Sequence, residues 1–109
     1  MNDAIETLVL QIVAMTLRIT AAGQYHAFAT QFGHVRTLDV HVYPATTEYT
    51  AEVPRETLLF ASAYWEPSKH SHLEAEEQLP TAIAELEAVI AKLQPYMRQT
   101  LAISQEAAA

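Results

Sequence analysis

The chain has 109 residues, half of them hydrophobic, with two glycines, no cysteine and a formal net charge of −7 at pH 7. That length fits one domain, residues 1–109, with a core large enough to stand without covalent staples. The missing cysteines exclude disulfides, thiolate metal sites and cysteine nucleophiles, and they agree with a cytoplasmic setting; the negative charge disfavours direct contact with nucleic acid or with an anionic membrane surface.

The first element is helical. Asp3 and Glu6 have the spacing of a capping box, and Ile5, Leu8, Val9, Ile12, Thr16 and Ile19 follow at steps of three and four. Gly23 supplies the backbone freedom expected just past a helix end, so the helix is predicted over about 4–22. Asp3, Glu6 and Arg18 break the apolar run in the wrong places for a signal peptide or a membrane span, and neither is expected. Val13, Met15 and Leu17 lie outside the main stripe, which predicts a helix covered on more than one side.

From Tyr25 the period changes to two. "YHAFATQFG" and "HVRTLDVHVY" read as two strands of a hairpin turning near Gly33 and His34. A three-residue loop over 33–35 sets Phe28 and Phe32 on the face of Leu38, Val40 and Val42, and on that ground it is the expected register. The opposite face then carries Tyr25, Ala27, Thr37, His41 and Trp65. Residues 44–56, "PATTEYTAEVPRE", lack a period and read as a loop. The run "TLLFASAYW" over 57–65 reads as a third strand, with Leu58, Phe60 and Tyr64 on one side and Leu59, Ala61 and Trp65 on the other.

After Pro67 the pattern is helical again. Ser71 and Glu74 form a second capping box, and Leu73, Leu79, Ile83, Leu86, Ile90 and Leu93 keep helical spacing. Pro80 is expected to kink this helix or to mark its restart, and Gln94 before Pro95 to end it. The remainder, from about 96 to 109, is expected to add a short helix at most and to fray at its alanine tail. The order α-β-β-β-α defines an α+β fold, most simply a three-stranded antiparallel meander with both helices on one face.

One stretch carries a resemblance. Phe32 to Tyr43 follows the pattern F-x-G-H-V-x-T-L-x-V-x-V-Y with one residue missing between Phe32 and Gly33, and "PATTEY" follows at 44–49. Together with a third strand and a glutamate-rich helix, this resembles small accessory proteins encoded by enterobacterial prophages and plasmids. The match covers about a third of the chain. The resemblance implies an intracellular protein in a bacterial host, with no established activity or catalytic residues to carry over; a host or phage protein is the expected partner.

The segment "KHSHLEAEEQ", 69–78, is richest in chemistry. His70 falls just before the predicted helix and His72 just inside it, and residues two apart on a helix point to different sides. His70 with Glu74, or His72 with Glu76, has the four-residue spacing of a ligand pair, but a zinc site needs three or four ligands, and the solvated start of a helix is the simpler reading. His26, His34 and His41 belong to the hairpin, where the expected register sets His26 opposite His41 and scatters the group. Ser62, Ser68, Ser71 and Ser104 have no local base and orienter, and two glycines cannot build a nucleotide-binding loop. Arg36 and Arg55 are isolated, without a basic patch.

Carboxylates dominate the C-terminal half: Glu66, Glu74, Glu76, Glu77, Glu85 and Glu87 share a segment with a single basic residue, Lys69. A solubilising helix face is the bland explanation and a docking surface for a basic protein the functional one. The expected function is therefore a non-catalytic protein-interaction module, with Glu74, Glu77, Glu85, Glu87 and Trp65 as its protein-binding residues, no cofactor and no metal. A small metal-binding protein or hydrolase using His70, His72 and nearby glutamates is the alternative. The wide apolar circumference of the first helix and the apolar residues on the second sheet face further predict a two-fold homodimer.

Overall fold

The computed structural model describes residues 3–33, 36–50, 56–65 and 75–108. The elements run α1 (Asp3–Ala21), β1 (Tyr25–Phe32), β2 (Thr37–Pro44), β3 (Leu59–Tyr64) and α2 (Ala75–Ala108). The strands form one antiparallel sheet in the order β1-β2-β3. This is the α+β meander that the two changes of hydrophobic period predict.

Helix α1 buries Ile5, Ile12, Met15, Thr16 and Ile19 along a single stripe. The buried Thr16 hydroxyl is satisfied within the helix, donating to the Val13 carbonyl at 2.8 Å. Gly23 ends the element with φ +88°, and its N–H donates to the Thr20 carbonyl, a left-handed cap that favours glycine. Thr20 then ties helix to sheet: its Oγ1 accepts from the Ala27 N–H at 2.9 Å and donates to the Ala27 carbonyl at 3.1 Å. By length and composition α1 is apolar enough to cross a membrane. Here its buried stripe packs into the domain core.

The core lies between the sheet and the two helices. Leu38, Val40, Val42, Ala61, Ala63 and Trp65 come from the sheet, and Ala82, Leu86, Val89 and Leu93 from α2. Among the described residues nine large side chains, including Ile12, Ile19, Val40, Leu86 and Leu93, are less than 2 % exposed, and each such burial stabilises by about 1.5–3 kcal/mol. Helix α1 lies over β1 and α2 over β3. The inward positions of these edge strands are correspondingly small, Ala27 and Ala29 in β1 and Ala61 and Ala63 in β3, while the larger Leu38, Val40 and Val42 rise from β2.

That packing corrects the expected hairpin register. Phe32 pairs with Thr37, Ala29 with Val40 and Phe28 with His41, so the connection has four residues, 33–36, rather than three. Phe28 and Phe32 therefore face away from Leu38, Val40 and Val42. Tyr25, Ala27 and Trp65, expected on the far face, pack with the core instead. The physical reason is the helix above β1, which leaves room only for the methyl groups of Ala27 and Ala29 along the strand and admits a ring only at its first residue, Tyr25, beside Tyr96. In β3 the expected alternation holds, with Leu59, Ala61 and Trp65 inward and Phe60 and Tyr64 outward.

Helix α2 contains Pro80 and departs from expectation at Pro95, continuing through it to Ala108. Both prolines are exposed. The carbonyl that Pro95 leaves without its helical donor is that of Ala91, an exposed residue, so water can satisfy it. Tyr96 and Met97 pack against the core just beyond the proline. The Tyr96 hydroxyl donates to the Leu58 carbonyl at 3.4 Å, and its ring meets Tyr25 edge-on at 5.0 Å. Burial, reinforced by the neighbouring Tyr25, raises the Tyr96 hydroxyl above its ordinary pKa.

Candidate interaction face

The helices cover one face of the sheet, and the alternation of the strands sends a second set of side chains to the other. By register these form rows across the strands: His26 with Tyr43; Phe28, His41 and Phe60; Thr30, Asp39 and Ser62; Phe32, Thr37 and Tyr64. Seven of the eleven are rings. Phe28, Phe32, Phe60 and Tyr64, with Tyr49 from the loop after β2, are between 36 % and 55 % exposed.

The rings touch in a chain that crosses all three strands. His41 meets Phe60 at 4.9 Å and stacks on Tyr43 at 6.0 Å. Phe28 lies edge-on to Tyr43 at 5.8 Å and to Tyr49 at 5.9 Å. Tyr49 also stacks on His26 at 5.8 Å, and its hydroxyl is hydrogen-bonded to His26 Nδ1 at 2.7 Å. Such offset and edge-to-face contacts add about 0.5–1.5 kcal/mol per pair beyond area burial. They hold the rings as an ordered platform.

The polar row has its own partner bond: the Ser62 hydroxyl donates to Asp39 Oδ1 at 2.6 Å. His41 is the next residue on that side of β2, but its ring is engaged by Tyr43 and Phe60. A serine nucleophile is activated by a neighbouring base, most often an imidazole; with the His41 ring held by Tyr43 and Phe60, the hydrogen bond that Ser62 donates to Asp39 is an ordinary cross-strand pair. His26 and His41 share this face, contrary to the register that sets them apart. Among the described residues no three His, Asp or Glu side chains gather as a metal site.

Of the residues expected to bind protein, those described lie in α2 and just past the end of β3 rather than on this open face. Glu74, like His70 and His72, lies outside the described residues, and Glu77 falls in the first turn of α2. Glu87 is exposed. Glu85 is half-buried and Oε2 accepts from the Tyr64 N–H at 3.2 Å, which ties α2 to the edge of β3. Trp65 is 8 % exposed, on the core side rather than the open face, and its indole N–H donates to the Thr37 carbonyl at 3.1 Å. An open face with apolar residues was expected, but with Tyr25, Ala27 and Trp65 on it, because Phe28 and Phe32 were assigned inward; the period-two aromatics at 26, 28, 32, 41, 43, 60 and 64 are its signal in the sequence.

Comparison with protein-family models, with curated proteins and with solved structures gave no match.

Proposed function

We propose that the chain is a non-catalytic protein-interaction module that docks through the open face of its sheet. The observation that carries this reading is the connected aromatic platform. Taking about 200 Å² for each large aromatic side chain, the five exposed rings leave about 450 Å² of ring surface in water, about 280 Å² of it on Phe28, Phe60 and Tyr49 within the chain of touching rings and the rest on Phe32 and Tyr64 beyond the Thr30, Asp39 and Ser62 row; exposed apolar patches of a few hundred Å² on single chains are often functional. Rings engaged by one another hold their geometry before binding, so little conformational entropy is lost on docking. The exposed carboxylates, Glu87 among them, then serve mainly to keep the chain soluble. A small accessory protein acting in the bacterial cytoplasm is the setting that fits the resemblance of residues 32–49.

Site-specific photo-crosslinking in a bacterial host tests the reading. A photoreactive phenylalanine analogue at position 60 is expected to give protein adducts, and the same group at position 87 to give none above background. Adducts from position 87 alone would shift the function to the acidic helix and overturn the assignment.

A further inference from the structure

The occupant of the open face can be argued further, on the reading just given. We propose that it is a second copy of this chain, the two sheets stacking face to face about a two-fold axis that runs across the strands along the Phe28, His41 and Phe60 row.

Charge selects this occupant. The chain carries −7, yet the strand residues of the open face include one carboxylate, Asp39, already bonded to Ser62. Among the described strand residues of this face there is no lysine or arginine, and the His26 and His41 rings are engaged by Tyr49 and by Tyr43 and Phe60, so these strands offer little to an acidic partner; a single carboxylate offers little to a basic one. Rings suit rings, because each presents both a negative face and a positive edge to the other.

The axis follows from the register. An axis parallel to the strands would lay each row on its own counterpart and bring the two Asp39 side chains together. An axis across the strands exchanges the rows on either side of it. Each Asp39 then faces the end of the other sheet that carries His26, Tyr43 and Tyr49, while the central rows of rings meet one another.

Area agrees with a stable pair. The exposed rings supply about 450 Å² per copy, and the half-buried His26, Thr37, His41 and Tyr43 on the same face bring each side towards the roughly 600 Å² at the lower bound of standard interfaces. Sheets pack face to face at about 10 Å. The result is a four-layer α/β/β/α body. The outward residues of α1, Leu10 and Leu17, are also well exposed, but α1 presents a narrow stripe and no ordered ring contacts.

Sedimentation of the full chain over a concentration series, with circular dichroism as the folding control, provides the test. Wild type is expected to reach twice its 12.1 kDa mass at micromolar concentration. Phe60→Asp should stay folded and weaken association at least tenfold, whereas Leu10→Ser with Leu17→Ser should leave it unchanged. As a second measurement, the photoreactive analogue at position 60 of the purified chain should yield a covalent dimer. A strictly monomeric wild type at high micromolar concentration overturns the proposal, as does a dimer that survives Phe60→Asp and gives no cross-link from position 60. If the chain is monomeric but position 60 captures another protein in cells, the interaction module stands and self-pairing falls; if position 60 captures nothing in either setting, both fall.

Discussion

Arg36 concentrates several constraints in one residue. Its φ of 56° is the only positive value recorded for a residue other than glycine among the described residues, and such a conformation costs about 1–2 kcal/mol for a side chain with a Cβ. The backbone is held there because the Arg36 carbonyl accepts from the Trp65 N–H at 2.9 Å, which extends the pairing of β2 and β3 past the strand ends. The guanidinium sits 5.2 Å from the centre of the Trp65 ring, and a contact of that kind offsets about 0.5–1 kcal/mol where water has access. Replacing Arg36 by alanine removes the contact and keeps the strain; replacing it by glycine removes both. Arg36→Gly is therefore expected to be more stable than Arg36→Ala by about 1 kcal/mol in urea unfolding. Equal stabilities would show that the left-handed turn is not strained in solution.

At the level of elements, the legible parts were those written in long periodic runs. Helix α1 was expected over 4–22 and spans Asp3–Ala21, because its stripe and Gly23 obey the same helical geometry. The alternation in β2 and β3 was legible for the same reason. The parity of the β1–β2 turn was not, since it depends on which side of β1 the first helix covers, and Tyr25, Ala27 and Ala29 looked like the weaker apolar set against Phe28 and Phe32. The candidate site followed the same error: Trp65 was assigned outward, and Phe28 and Phe32 inward. Pro95 misled differently. Its local rule forbids a helical bond, but Tyr96 and Met97 pack on the core beyond it and tertiary contact carries the helix through. Because Pro95 is exposed and its ring costs a helix interior about 3 kcal/mol or less near solvent, Pro95→Ala is expected to stabilise the domain by about 1–3 kcal/mol in thermal or urea unfolding. No gain would mean that the helix ends at Gln94 and that Tyr96 reaches the core by another path.

For the whole molecule, charge separates the two ways of binding. Docking of an acidic helix on a basic partner weakens as salt rises, because its attraction is screened. Pairing of two copies through the open face has the opposite sign, since each brings a charge of −7. With centres about 20 Å apart, Coulomb's law in water gives about 10 kcal/mol of repulsion before screening. A screening length of about 30 Å at 0.01 M salt leaves about half of that, and one of about 8 Å at 0.15 M leaves about a tenth. These figures are upper bounds, because Glu85 and Glu87 ride on α2, on the side of the sheet away from the pairing face. Even a third of the difference moves the equilibrium about tenfold. The self-association constant measured by sedimentation is therefore expected to tighten at least about tenfold between those salt concentrations. Glu87→Lys, which removes repulsion without touching the open face, should strengthen pairing most in the low-salt buffer. Glu85 is the wrong residue for that purpose, since its carboxylate holds the Tyr64 N–H and reversing it would loosen α2 from β3. Association that instead weakens with added salt would place the contact on the charged helix and take it away from the rings.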